Sequence, residues 1–381
     1  MSPPRRLAAR FVWTPTGVQR DACVVVDAHG AIVRVTQANG DDDVLDGILM
    51  PGLVNAHAHL ELSQLRHKVP GGQGSVPWVR SLWATGLPPS PDANDAAARE
   101  AAASGTRWLI DTTNRGDTDR HLRAAGLQGI VQIECLGLTE GRWQAVLDAA
   151  RRRTGSRQVR IRPTAHSPVS CSPALLSTAL TGPWPTIHVD EDPADLDLLR
   201  DRTGPWAAFH EQLGHDWRGR LGQAPSGLAL LDQLGLLRRE LGLVHLCAAR
   251  DRDLVRVAKA GSTVILCPRS NLHIGGTLPN VARMAQLGIP LAIGTDSLGS
   301  TPDMDIVAEA ATLHGAFPEL DPALWMQALT SGGGALLGNA GAGQLRAGTF
   351  PGVLHIALPA DTDDPLPTLL DGTRWPREFL A

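Results

Sequence analysis

Eight short apolar runs alternate with segments of helical spacing through the middle of this chain, and nothing else in it constrains the fold as much. The strand candidates are 48–55, 107–112, 129–136, 159–164, 185–189, 243–247, 262–267 and 290–295. Between them lie Ala/Leu/Arg-rich stretches such as Asp92–Ala103, Trp143–Arg153 and Arg252–Ala260, whose apolar residues recur at helical intervals. Repeated β-then-α units predict parallel strands, each returned by a helix, and eight of them predict an α/β fold closed into a distorted (β/α)8 TIM barrel. An open doubly wound sheet is the competitor, but no Gly-rich phosphate loop follows the first run.

The two ends have a different texture. Cys23-Val24-Val25-Val26, the turn signal Asp27-Ala28-His29-Gly30, then Ala31–Val35 and the Asn39-Gly40 turn read as short strands and hairpins. The tail, Gly343–Thr349 and Gly352–Ala357, returns to the same texture. Residues 1–48 and 342–381 are therefore expected to share one small β-sandwich, with 49–341 as the barrel.

A net charge of −4 and the absence of a basic run argue against nucleic acid or a membrane surface as partner. No apolar run reaches the roughly 20 residues of a span, and Met1–Val12 lacks a signal-peptide core, so a cytoplasmic location is expected. Cys23, Cys135, Cys171, Cys247 and Cys267 are scattered, odd in number and without any Cys-x-x-Cys; several read as small core residues.

On a barrel of this kind the strand C-terminal ends converge on one face and carry the site. The residues found there are His57 and His59, His166, His188, His245, Asn271 and Asp296. His57 and His59 are two apart, so on a strand both imidazoles aim at one point. Imidazole and carboxylate suit zinc or iron, with one position left for water. Asp296 closes the apolar run Pro290–Thr295, and a carboxylate there is costly to bury unless paired or metal-bound. His188 opens His188-Val189-Asp190-Glu191; taken alone it is equally a strand cap beside an acidic run, but Glu191 stands within reach of water at a metal. His245 is alternatively a satisfied core histidine, and His166 and Asn271 alternatively cap turns.

Taken together these residues resemble the amidohydrolase superfamily over nearly the whole chain. Pro51–Leu60 is similar to its first-strand signature and His188-Val189-Asp190-Glu191 to the His-x-x-Glu of its deaminase branch. Val244-His245, Cys267–Asn271 and Gly294-Thr295-Asp296-Ser297 fit its sixth, seventh and eighth strands. Two-metal branches bridge their ions with a carboxylated lysine after strand four, whereas the only lysines here are Lys68 and Lys259. The resemblance thus implies the one-metal deaminase branch, with His57, His59, His188 and Asp296 as ligands to one divalent ion, Zn²⁺ ahead of Fe²⁺. It implies Glu191 as proton shuttle with a raised pKa, His245 as the group that orients or polarises water, and Asp296 as proton acceptor.

Local phrases are most similar to the aminodeoxyfutalosine deaminases of menaquinone synthesis, notably His59-Leu60-Glu61-Leu62-Ser63 and His166-Ser167-Pro168-Val169-Ser170. That likeness implies substrate contacts at Glu61, Trp78, His166, Ser270, Asn271 and Ser297, and a small nucleoside-like substrate. Val169 stands where an aromatic is expected, and 204–228 reads as a divergent loop rich in Trp206, Phe209, His210, His215 and Trp217. The other readings are deamination of adenosine, S-adenosylhomocysteine, guanine or cytosine, a chlorohydrolase-like reaction, or a non-catalytic scaffold. A homodimer stays open.

Overall fold

The structure is a computed structural model that describes residues 3–381. Fourteen strands follow one another along the chain among these residues. The first four are β1 (Arg5–Thr14), β2 (Gly17–Val26), β3 (Ile32–Gln37) and β4 (Val44–Pro51). The barrel strands are β5 (Leu53–Ala58), β6 (Thr106–Thr113), β7 (Gln128–Cys135), β8 (Val159–Ala165), β9 (Thr186–Val189), β10 (Gly242–His245), β11 (Thr263–Leu266) and β12 (Leu291–Ile293). The last two are β13 (Val353–Ile356) and β14 (Arg377–Phe379).

The barrel is two parallel four-stranded arcs, β5-β6-β7-β8 and β9-β10-β11-β12. β5, β9, β10 and β11 are buried on both faces and so lack polar alternation, whereas β8 is half-buried and carries Arg160 and Arg162. Two seams close it. At one, the His188 N–H donates to His166 O at 3.0 Å, and the Thr164 hydroxyl reaches Thr186 O at 2.6 Å. At the other, the Asp296 N–H donates to His57 O at 3.0 Å, and Ala58 bridges Asp296. Gly294 permits the second seam: a Cβ there would stand 2.7 Å from both the Cβ and the carbonyl oxygen of His57.

Both chain ends meet in one six-stranded sheet of order β14-β13-β4-β1-β2-β3. β13 runs antiparallel to β4 through Val353–Pro51 and Ile356–Ile48, so the tail is stitched directly onto the segment that enters the barrel. The run expected as one strand over 48–55 is in fact divided. β4 ends at Pro51 in the sheet and β5 begins at Leu53 in the barrel. Gly52 is the break, pressed so closely on Arg107 Cβ and Pro351 O that a side chain would meet them at 2.4 and 2.7 Å.

The expected loop over 204–228 also differs. It contains a helix, Gly204–Gln212, with Pro205 in its first turn, and leads into a second, Gly227–Gln233. Trp206, Phe209 and Trp217 are buried, and Phe209 packs on Trp83 with ring centroids 5.2 Å apart. Trp83 belongs to the helix Ser75–Ala84, in the connection between β5 and β6. That connection is fastened across the barrel mouth, with Gly74 N–H on Ile274 O at 2.9 Å and Ser75 N–H on Asp192 Oδ2 at 2.9 Å. No helix among the described residues is long and apolar enough to cross a membrane.

Candidate metal centre

Four barrel strands deliver the centre. His57 lies near the end of β5 and His59 just past it, His188 is on β9, His245 ends β10, and Asp296 follows β12. His57, His188, His245 and Asp296 are buried, and the His59 side chain is 11% exposed. Nε2 of His188 stands 3.1 Å from His57 Nε2 and 3.3 Å from His59 Nε2. Asp296 Oδ1 is 3.9 Å from His57 Nε2 and 3.7 Å from His59 Nε2. Two overlapping sets of donor atoms, His57 with His59 and Asp296 and His57 with His188 and His245, each lie close enough together to hold a divalent ion, and His57 is common to both.

The charges of His57 and Asp296 fit that use. Burial, then the neighbouring His59 and His188, hold His57 well below the ordinary histidine range, which leaves it neutral as a ligand must be. Burial would raise Asp296, but His59, His245 and a hydrogen bond from Ser270 outweigh it and keep the carboxyl below its usual value. His188 departs the other way: burial lowers it, yet the Glu134 hydrogen bond and charge, with Glu191 and Asp296, lift it to about 9. Two residues of the centre sit on unusual backbone, His245 at φ +79° and Asp296 at φ +63°, the left-handed region that non-glycine residues rarely occupy and that concentrates at functional sites.

Beside these four candidate ligands lie His245 and Glu191. Glu191 Oε1 is 3.7 Å from His245 Nε2, and the Asn271 amide donates to His245 Nδ1 at 2.9 Å, which leaves the imidazole proton on Nε2, facing Glu191. Glu191 keeps 22% of its side chain exposed at the site mouth. Burial of the rest raises its carboxyl to about 8 against the pull of His188, helped by Asp296, Asp195 and Asp192.

The residues expected to touch substrate fall into four groups. Ser270 and Ser297 support Asp296: the Ser270 hydroxyl donates to Oδ2 at 2.5 Å and the Ser297 N–H to Oδ1 at 2.8 Å. Asn271 holds His245, and His166 holds Ser170 Oγ at 2.6 Å through Nδ1, with its ring 5.1 Å from that of His188. Trp78 lies on the helix Ser75–Ala84 with its indole N–H buried and without a partner. Glu61 is already engaged. Oε1 accepts from Asn114 N–H at 2.7 Å, and Oε2 from Thr113 Oγ1 at 2.7 Å and Arg115 N–H at 3.2 Å. A substrate contact at Glu61 would share or displace one of these donors.

Sequence reasoning passed over Glu134, which lies near the end of β7, 5% exposed, with Oε1 3.3 Å from His188 Nδ1. The signal was present: a carboxylate near the end of an apolar strand, the same argument that singled out Asp296. Asp192 was also passed over, lost in the acidic run after Glu191.

Known proteins resemble this chain along most of its length. Residues 48–351 match the model of the Amidohydrolase family. An aminodeoxyfutalosine deaminase from Deinococcus radiodurans is 27% identical over 340 residues, which span 83% of this chain and 79% of the relative. A 5-methylthioadenosine/S-adenosylhomocysteine deaminase from Syntrophobacter fumaroxidans is 26% identical over 351 residues, spanning 82% and 73%. Among solved structures, the Helicobacter pylori aminofutalosine deaminase in complex with methylthio-coformycin superimposes with a TM-score of 0.83 at 17% identity, covering 96% of this chain and 95% of that one. The structural likeness reports the fold, and the family match covers the barrel that builds the centre. The chain belongs to the amidohydrolase family and is a hydrolytic enzyme.

Proposed function

We propose that this enzyme hydrolytically deaminates a 6-aminopurine nucleoside derivative, with aminodeoxyfutalosine, converted to futalosine and ammonia, as the substrate. The carrying observation is one arrangement: imidazoles and a carboxylate converging around His57 closely enough to hold an ion, with a high-pKa carboxyl on Glu191 beside them and 3.7 Å from His245. His57, His59, His188 and Asp296 would hold the ion. Zn²⁺, which imidazole and carboxylate donors suit, is the ion we propose ahead of Fe²⁺. Bound there, the ion supplies Lewis-acid activation, lowering the pKa of water to about 7.

The chain's own residues supply the proton traffic. Glu191 delivers a proton to the ring nitrogen beside the amino-bearing carbon, which makes that carbon electrophilic. Asp296 takes a proton from the attacking water as the new C–O bond forms. His245, with its proton on Nε2, orients the oxygen. The proton taken up by Asp296 then passes to the amino group, the C–N bond breaks and ammonia leaves, and the proton of the new hydroxyl returns to Glu191 as the C=O bond forms. The relatives' names support the nucleoside class.

The test is ammonia release by Zn²⁺-loaded enzyme from aminodeoxyfutalosine beside adenosine, 5-methylthioadenosine, S-adenosylhomocysteine, guanine and cytosine. A kcat/KM on the order of 10⁴ M⁻¹s⁻¹ or more for aminodeoxyfutalosine alone is the expected result. Faster turnover of another amine reassigns the substrate, and no ammonia from any of them overturns deamination.

A further inference from the structure

His188 has two nitrogens with different tasks. Its Nε2 points into the space framed by His57 and His59, at 3.1 and 3.3 Å from their Nε2 atoms. Coordination through Nε2 requires a lone pair there and therefore a proton on Nδ1. That Nδ1 faces two acceptors, His166 O at 3.2 Å and Glu134 Oε1 at 3.3 Å.

Glu134 Oε1 is buried and has no other partner. A buried carboxylate oxygen left without a donor is costly, and the Nδ1–H of His188 is the donor that faces it. The other oxygen, Oε2, accepts from Asn114 Nδ2 at 3.2 Å, and the same amide group also reaches Glu134 O at 3.2 Å. Asn114 is held in turn, its N–H on Glu61 Oε1 at 2.7 Å. Glu61 lies two residues beyond His59. One hydrogen-bonded line therefore runs from Glu61, in the turn that follows His59, through Asn114 and Glu134 to the back of His188.

We propose that Glu134, held by Asn114 and through it by Glu61, is the positioning residue that fixes His188 as an Nε2 ligand. A carboxylate behind a ligating imidazole locks the tautomer and the ring plane and makes the nitrogen a better donor to the ion; its loss weakens metal affinity about 10–100-fold. Glu134, His166 and His188 also lie close enough to suggest a second ion. That would require His188 to coordinate through both nitrogens as an imidazolate, while His166 Nδ1 is already taken by Ser170 Oγ at 2.6 Å. A proton between Glu134 and His188 satisfies the same atoms with no such demand.

The inference rests on His188 being a metal ligand, and the experiment separates the two. Zn²⁺ affinity is measured by chelator competition on the full-length protein, with stoichiometry determined alongside. Wild type binds one Zn²⁺; Glu134→Ala binds it at least tenfold more weakly, and Glu134→Gln, whose amide oxygen still accepts, recovers most of the loss. In ¹⁵N-histidine-labelled Zn²⁺ protein the Nδ1–H resonance of His188 moves upfield in Glu134→Gln while those of His57 and His59 stay in place. This spectrum decides the matter if the alanine variant does not fold. Equal affinities in wild type and Glu134→Ala, an unmoved His188 resonance, or two Zn²⁺ per chain overturn the inference. No Zn²⁺ bound by wild type overturns the metal centre itself.

Discussion

Asp192 accepts the Ser75 N–H on Oδ2 at 2.9 Å and the Ala194 N–H on Oδ1 at 2.8 Å, so the residue next to Glu191 also ties down the start of the helix that carries Trp78. Gly74 makes room for it: at φ +89°, a side chain there would stand 2.7 Å from Asp192 Oδ2. Glu191 and the helix over the site mouth are thus referenced to one carboxylate.

Asp192→Ala removes that cap, which is worth about 1 kcal/mol in helices generally. Steady-state kinetics are expected to show KM raised about fivefold, kcat little changed and Zn²⁺ content intact, with Asp192→Asn, an equally good cap, near wild type. Unchanged kinetics in the alanine variant would separate the helix from the site.

Glu191→Gln is expected to lower kcat about 10²–10⁴-fold while metal content stays at one ion per chain. The raised carboxyl, about 8, fixes the pH response. As a general acid Glu191 acts only while protonated, so kcat/KM falls as pH rises through about 8. The stability consequence has a defined sign. Between the ordinary carboxylate range and about 8 the unfolded chain gives up this proton and the folded one retains it, so folding stability declines with rising pH. The metal-free Gln variant gains in Tm over wild type across that window and holds its advantage above it. A pH-independent Tm difference would contradict the assignment.

Removing the ion is expected to lower Tm, since a ligand that binds only the folded chain adds about 2.7 kcal/mol at a hundredfold excess over its Kd. Differential scanning calorimetry with and without chelator reads this directly, and restoring Zn²⁺ restores Tm. Asp296→Asn should abolish both the Zn²⁺ response and turnover.

Gly294→Ala is expected to destabilise the protein by about 1–3 kcal/mol, the usual cost of forced overpacking. Its methyl group would stand against His57, so Zn²⁺ affinity falls with stability. A variant of wild-type Tm and affinity would show that the seam can yield.

Much of this was legible in the residue order. Parallel buried strands read as apolar runs, and the polar residue ending each run was the one that reached the centre: His57, His188, His245, Asp296. Glu134 obeys the same rule but sits between Ile133 and Cys135, where the run reads as plain core. The break at Gly52 was hidden because its cause is tertiary, a close approach to Arg107 and Pro351. The helix Gly204–Gln212 was hidden by its Gly-Pro opening, which reads as loop until its first turn is seen. Whether Glu61 faces substrate or protein is not written in local sequence at all, since Thr113, Asn114 and Arg115 arrive from another strand end.

The two arcs of the barrel contribute equally to the ligand set, His57 and His59 from one, His188 and Asp296 from the other. Each seam between the arcs is closed by the backbone of one of these same residues. An ion held there works as a rivet between two half-shells, joining them where the hydrogen-bond ladder is thinnest. Loss of the ion should then loosen the molecule along a line rather than throughout, and hydrogen exchange in stripped protein would rise first at Asp296 and His188, ahead of the strands in the middle of each half.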